Sequence, residues 1–152
     1  MSHWNETYDA LAGCYDDMTE DVNYPGWADF LEKLFSRGKH PVHTVLDLAC
    51  GTGTMSFLLA ARGYELIGVD FSPEMLAIAA EKTLEGEGEP PIFLCQPMEK
   101  LDLYGTVDAC VCLLDSVNHI TQPGKLRRAF ERVRLFLEPG GLFVFDVHTP
   151  EH

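Results

Sequence analysis

The fold of this chain is decided by the stretch Val45-Leu46-Asp47-Leu48-Ala49-Cys50-Gly51-Thr52-Gly53-Thr54. An apolar strand here runs into a turn that carries two glycines, and the turn opens a helix. Because glycine has no Cβ, the backbone can turn tightly and come close to a ligand, while the first N–H groups of the helix have no partner within it. The pattern predicts a strand, turn and helix that bind a nucleotide-type ligand.

A carboxylate stands at the end of the next apolar run. Glu65–Val69 is followed by Asp70, which lies about 20 residues beyond Gly51, the spacing at which nucleotide-binding α/β proteins place an acid that accepts hydrogen bonds from ribose hydroxyls. The alternative is that both glycines only make a tight turn and that Asp70 is a solvated strand-end residue. The spacing alone leaves both interpretations open.

Charge and size exclude several classes of protein. The chain has 152 residues, of which 46% are hydrophobic, as expected for one globular domain. It carries 11 Lys and Arg against 24 Asp and Glu, a net charge of −13, so its average field repels nucleic acid and anionic membranes. The basic cluster from Lys125 to Arg134 has helical spacing and is predicted to be a solvated helix face.

Cysteine usage predicts a reducing compartment. The five cysteines form no CxxC pair, no His/Cys set has zinc spacing, and most lie in apolar runs as buried thiols, so no metal site is predicted. No apolar run reaches membrane-spanning length, and the N-terminus does not resemble a secretory signal. We therefore predict a cytoplasmic protein.

Hydrophobic periodicity predicts alternating strands and helices after two N-terminal helices. Strands are predicted near 43–48, 66–70, 91–95, 107–113 and 141–147, and helices near 4–18, 26–36, 53–63, 73–85 and 123–137. Segment 97–106 is assigned no more than a short helical turn. Continuously apolar strands that alternate with helices indicate an α/β, doubly wound, mainly parallel sheet with helices on both faces.

Polar residues follow the fourth predicted strand. Ligands of doubly wound sheets bind beyond the carboxyl ends of the strands, where the winding direction reverses. Asp115 and His119 follow the fourth strand and are expected to face the glycine turn. Ser116 and Asn118 either contact a ligand or cap the next turn.

Four segments together resemble the class I S-adenosylmethionine-dependent methyltransferases: Val45–Thr54, Gly68–Leu76, Asp108–Asn118 and Leu137–Phe143. The stretch Tyr24-Pro25-Gly26-Trp27 is similar to a bacterial small-methyltransferase subgroup. The resemblance implies a Rossmann-like five-stranded sheet in the order 3-2-1-4-5. It also implies an N-terminal helical segment, 1–40, on the lid and substrate side, and a cofactor-binding domain, 41–152.

The resemblance also implies roles for individual residues. Around the methionine end of the cofactor it places Asp47, Gly51 and Gly53, with backbone contacts from Ala49 and Cys50. Asp70 would hold the ribose. The adenine would lie between Phe71 and Met75, with Met98 at its far edge, and the sulfonium would be bordered by Leu114 and Asp115. Tyr24, with Tyr8 and Tyr15, is a candidate for the lid or the methyl side of the cofactor.

The implied reaction is methyl transfer to a small-molecule acceptor, with Asp115 or His119 as the candidate base. One alternative is a module that binds the cofactor but is catalytically incomplete. Another is an NAD(P)-dependent oxidoreductase. Ser56 argues against the oxidoreductase, because its fingerprint has glycine or alanine three residues after the second glycine, and so does Asp47 within the first strand.

Two features depart from the family pattern. Pro97 stands where the family commonly has an acid that binds the adenine amino group, so this contact is expected to be weaker or to pass to Glu99. The family's sheet continues after strand five with a helix and an antiparallel hairpin, whereas this sequence ends at His152. We therefore expect a C-terminally truncated or cleaved chain, or a homo-oligomer paired through the apolar edge of strand five.

Overall fold

The computed structural model describes residues 24–85, 88–112 and 123–145. The predicted helix at 4–18 lies outside these residues. The elements in chain order are α1 (Tyr24–Arg37), β1 (Thr44–Leu48), α2 (Thr54–Ala61), β2 (Glu65–Asp70), α3 (Pro73–Thr83), β3 (Ile92–Cys95), a short 3-10 helix (Met98–Lys100), β4 (Val107–Cys112), α4 (Pro123–Phe136) and β5 (Leu137–Phe145). The predicted alternation of strands and helices is confirmed.

All five strands pair in parallel, in the order β3-β2-β1-β4-β5. The predicted fold class and strand order are therefore correct. The first strand lies at the centre, with Asp47 opposite both Gly68 of β2 and Val111 of β4. The order in which successive strands are added to the sheet reverses between β1 and β4, so the carboxyl ends of these two strands flank the crevice in which doubly wound sheets bind ligands.

Alternate residues of each strand pack into two separate cores. Val45 of β1 lies in the core formed with α1 and α2, which contribute residues such as Leu31 and Leu59. Leu46 lies in the opposite core, together with Val133 of α4. Successive side chains of a strand point to opposite faces, so a sheet covered on both sides needs the continuously apolar strands seen in the sequence.

Helix α3 begins at Pro73 with local signals that the sequence displays. The Ser72 hydroxyl accepts a hydrogen bond from the Met75 N–H at 3.2 Å, and Glu74 places a negative charge in the first turn. Proline at the first helical position loses no hydrogen bond, because that N–H has no partner in the helix. These signals fix the start of α3 directly after the Asp70 carboxylate.

The fifth strand begins earlier than predicted. The sequence predicts a helix that ends near 137 and a strand only at 141–147, but Leu137 already pairs with Val107. The register then shifts, so that Ala109 pairs with Leu142, and Gly140 adopts a φ of 83° within the irregularity. Residues 138–141 therefore form an irregularity inside the strand, because Leu137 before them already pairs in the ladder.

Among the described residues, no helix is both long enough and apolar enough to cross a membrane. In the same part of the chain, no strand pairs with the outer edge of β5. Pairing of two copies through that edge stays a prediction.

A cavity of about 420 Å³ opens at the amino ends of β1 and β4, lined by residues that include His40, Asp108 and Glu138. It lies at the opposite end of the sheet from the glycine turn.

Candidate functional site

The turn after β1 has an unusual backbone. Ala49, Gly51 and Gly53 have φ values of 59°, 61° and 85°, in the left-handed region that glycine tolerates and alanine rarely adopts. The turn is held to the neighbouring strand by the Cys50 N–H, which donates to the Val69 carbonyl at 3.0 Å. Strained non-glycine residues of this kind persist where the surrounding structure holds them, often at ligand sites.

Asp70 connects the turn to the start of α3. Its side chain is fully buried, and its two oxygens accept hydrogen bonds from the Gly51 N–H at 2.8 Å and the Ser72 N–H at 2.9 Å. A carboxylate has about four acceptor positions, and hydrogen bonds to an ionised group are among the strongest in proteins. The alternative interpretation of Asp70 as a solvated strand-end residue is therefore wrong.

Asp47 places a second carboxyl beneath the same turn. It is buried near the carboxyl end of β1, and the Ser56 hydroxyl of α2 donates to its Oδ2 at 2.6 Å. Burial raises the pKa of Asp47 from 3.8 to about 7, the negative charge of Asp70 adds to the rise, and the Ser56 hydrogen bond opposes it. The carboxyl of Asp47 therefore changes its charge near neutral pH.

The two buried carboxyls beside the turn favour a cation over an anion in their own surroundings, while the Lys82 ammonium contacts the Thr52 hydroxyl of the turn at 3.3 Å. Asp47 and Asp70 interact unfavourably with each other and with an anionic Cys50, and burial with these two charges raises the pKa of the Cys50 thiol far above its usual range. Cys50 is therefore a neutral thiol and not a nucleophile. A pyrophosphate at the turn would meet two carboxyls, whereas a ligand with an ammonium or sulfonium group would be attracted.

Phe93 of β3 explains why two positions near the turn are glycine. A Cβ built on Gly53 would lie 2.9 Å from Phe93 Cζ, and one built on Gly68 would lie 2.7 Å from Phe93 Cδ1. Phe57 of α2 contacts the same ring, with centroids 5.6 Å apart. Sequence reasoning assigned Gly53 to ligand approach and missed Phe93. The sequence alone held no signal for this contact, because the position of Phe93 opposite Gly68 is set by the register of β2 and β3.

Residues predicted to surround an adenine lie near the carboxyl ends of β2 and β3. Phe71 is half-buried and packs with buried Met75 of α3. Met98 is buried in the core that contains Leu48 and Val69. Pro97, in place of the family acid, is exposed, and the Glu99 carboxylate lies 4.0 Å from the Lys125 ammonium.

Of the remaining predicted site residues, the structure describes Tyr24. Tyr24 begins α1 and is half-buried against the core beneath α1 and α2. Leu114, Asp115 and His119, together with Tyr8 and Tyr15, lie outside the described residues, and their roles stay predictions. The structure does place Cys112, the last residue of β4, on the strand next to β1.

Replacement of Asp47 by asparagine should stabilise the chain at neutral and alkaline pH. Because burial raises the pKa of Asp47 to about 7 from 3.8, the folded state binds more protons than the unfolded state between these values, and stability falls as pH rises through them. From pH 5 to pH 8 we expect the unsubstituted chain to lose roughly 2–3 kcal/mol that Asp47→Asn retains. Urea unfolding at both pH values measures this difference.

The control for this prediction is Asp102→Asn, because the Asp102 side chain is 78% exposed. It should follow the pH dependence of the unsubstituted chain. Parallel pH dependence of the unsubstituted chain and Asp47→Asn would show that Asp47 is not a buried group with a raised pKa.

Comparison with known proteins gives a consistent picture. A family model described as a methyltransferase domain matches residues 45–141. A protein of Geobacillus sp. (strain WCH70) that carries a methyltransferase name is 33% identical over 144 residues, which cover 94% of this chain and 58% of that protein. The chain spans 58% of the length of this relative and 56% of the length of a second one, from Bacillus subtilis, to which it is 35% identical.

Two solved structures share the fold. The crystal structure of an S-adenosylmethionine-dependent methyltransferase from Clostridium acetobutylicum is similar with a TM-score of 0.81 and 33% identity, covering 94% of this chain and 58% of that chain. The S-adenosylmethionine-bound amino pentose methyltransferase of Micromonospora echinaspora has a TM-score of 0.77 and 26% identity, covering 87% of this chain and 54% of that chain.

Proposed function

Because this chain belongs to the S-adenosylmethionine-dependent methyltransferase family, we propose that it binds S-adenosylmethionine at the glycine turn and transfers the methyl group to a small-molecule acceptor. The family model matches well over half of the chain. The activity and the acceptor are proposals, because the chain spans only part of its relatives. The similarity to a protein named as an amino pentose methyltransferase supports this acceptor class.

The observation that carries this proposal is the pair of buried carboxyls at the left-handed turn. S-Adenosylmethionine presents two ribose hydroxyls, an ammonium and a sulfonium. Asp70, already oriented by the Gly51 and Ser72 N–H groups, is suited to accept from the ribose hydroxyls. Asp47 stands in β1 just before the turn, where a carboxylate would attract the ammonium. The residues present therefore fit the cofactor.

The other predicted contacts extend this arrangement. Phe71 and Met75 would provide an apolar wall for the adenine, with Met98 at its far edge. We propose Leu114 and Asp115 for the sulfonium end, because the chain leaves β4 beside the carboxyl end of β1. With Pro97 in the place of the family acid, recognition of the adenine amino group would fall to the backbone or to Glu99.

Residues near the acceptor are proposed from their place after β4, beside the carboxyl end of β1. When bound, the cofactor supplies an electrophilic methyl group. The chain's contribution would be to hold the acceptor in line with it and, for an oxygen or nitrogen acceptor, to remove a proton. Asp115 or His119 is proposed as that base. We propose the N-terminal segment 1–40 as the substrate side of the site and 41–152 as the cofactor domain, within a cytoplasmic protein.

Calorimetric titration tests the cofactor assignment. We expect S-adenosylmethionine and its product S-adenosylhomocysteine to bind with one-to-one stoichiometry, and NADH to show no binding, because its pyrophosphate would meet the two carboxyls. Incubation with methyl-labelled cofactor and a panel of small amines and amino sugars then tests transfer. NADH binding without S-adenosylmethionine binding would reverse the assignment to an oxidoreductase. Cofactor binding without transfer to any acceptor would favour the catalytically incomplete module.

A further inference from the structure

Ser56 is a buried polar residue at a helix position where packing alone requires no hydroxyl group. It lies in the first turns of α2, is fully buried, and donates its hydroxyl hydrogen to Asp47 Oδ2 at 2.6 Å. From the sequence alone, Ser56 indicated only that the chain lacks the fingerprint of an NAD(P)-dependent oxidoreductase. A glycine or alanine would fill this position with less polar surface to bury, so the hydroxyl is retained beside a carboxyl that it can hydrogen-bond.

No described side chain that interacts with Asp47 supplies a positive charge. The titratable groups that act on it are Asp70 at the end of β2, Cys50 in the turn and Cys110 on β4. Asp70 opposes ionisation of Asp47, and both thiols are neutral because burial raises the pKa of each. Within the described residues the Ser56 hydroxyl is therefore the group that favours the ionised form of Asp47.

We propose that Ser56 is a positioning residue of the cofactor site, whose hydroxyl fixes the orientation of the Asp47 carboxylate and favours its ionised form for the ammonium group of the cofactor. This inference rests on the proposed function. A short hydrogen bond from a hydroxyl to a carboxylate is strong and directional, so it fixes one carboxylate oxygen against α2. Ser56 itself needs no contact with the ligand.

The proposal predicts how binding depends on pH. An ammonium ligand binds the ionised form of Asp47, so affinity for S-adenosylhomocysteine should rise about tenfold from pH 6 to pH 8 in the unsubstituted chain. 5′-Methylthioadenosine has the same adenine and ribose but no ammonium group. Its affinity should change little over the same range, which separates the effect on Asp47 from any effect on the nucleoside part of the site.

The experiment combines a carboxyl titration with binding. In the ligand-free protein, ¹³C NMR follows the Asp47 side-chain carbon against pH in the unsubstituted chain, Ser56→Ala and Ser56→Thr. We expect the Ser56→Ala midpoint to move up by about one pH unit, and S-adenosylhomocysteine binding at pH 7 to weaken roughly fivefold as a result. Ser56→Thr keeps the hydroxyl and should titrate like the unsubstituted chain, as should Ser36→Ala, which removes an exposed hydroxyl.

The outcomes separate this inference from the proposed function. An unchanged Asp47 midpoint in Ser56→Ala, with S-adenosylhomocysteine still bound normally, would overturn the inference alone. A shifted midpoint with equal weakening for 5′-methylthioadenosine would also overturn it, because the ammonium would then not be the group recognised. If the unsubstituted chain binds S-adenosylhomocysteine at no pH, the proposed function fails and the inference fails with it.

Discussion

Replacement of Asp70 by alanine is expected to weaken S-adenosylmethionine binding by about a hundredfold or more. Hydrogen bonds to a charged group contribute about 1.5–3 kcal/mol each, and the proposed site asks Asp70 to accept from two ribose hydroxyls. The same substitution leaves the Gly51 and Ser72 N–H groups without their acceptor, so the turn also loses its orientation. Isothermal titration calorimetry on protein whose folding is checked by circular dichroism measures the loss.

Two variants make this result specific. Asp102→Ala removes a carboxylate whose side chain is 78% exposed, and it should bind the cofactor normally. Asp70→Asn keeps the shape and one acceptor oxygen, so it should fold better than Asp70→Ala while still binding weakly. Undiminished affinity in folded Asp70→Ala would show that the ribose is not held by this carboxylate and would remove the basis for the cofactor assignment.

Substitution of Gly53 by alanine should lower the free energy of unfolding by about 3 kcal/mol. The φ of 85° costs an alanine about 1–2 kcal/mol. The new Cβ would lie 2.9 Å from Phe93 Cζ and 3.2 Å from Phe57 Cε2, and relief of such overpacking costs typically 1–3 kcal/mol. Urea unfolding followed by circular dichroism measures the sum of the two effects.

Gly63 provides the matched control for this substitution. Its φ is 103°, but a Cβ built there meets nothing within 4 Å, so Gly63→Ala should show the backbone cost alone. Phe93→Leu combined with Gly53→Ala should recover part of the loss, giving a coupling energy that separates packing from backbone strain. Equal destabilisation by Gly53→Ala and Gly63→Ala, with no coupling to Phe93, would contradict the packing explanation.

The buried carboxyl of Asp47 lowers the stability of the folded chain at neutral pH and supplies a negative charge to the site. A neutral residue at its position would remove the cost of burying a carboxylate at neutral pH, as the Asp47→Asn prediction states. The chain keeps the carboxyl, and Ser56 shifts its titration toward ionisation. A buried acid that interacts with a second acid is unfavourable for folding, and perturbed groups of this kind are concentrated at functional sites.

Several site residues could be predicted because their roles follow from local sequence. The first strand is apolar, the turn needs left-handed residues, and Asp70 stands at the end of the second strand, so Gly51, Gly53 and Asp70 were identified together. Ala49 was predicted only through the resemblance, because nothing in an alanine's own chemistry signals a φ of 59°. Asp115 and His119 were predicted from their place after β4, and that role stays a prediction.

The amino-acid sequence by itself determined the α/β class, the order of elements and the position of the glycine turn, because hydrophobic periodicity and glycine placement act over short stretches of chain. Only the tertiary structure decided that Ser56 reaches Asp47, that Phe93 packs against Gly53, and that residues 138–141 form an irregularity inside β5. Each of these depends on contacts between elements, whose register and approach are set by packing across the whole sheet.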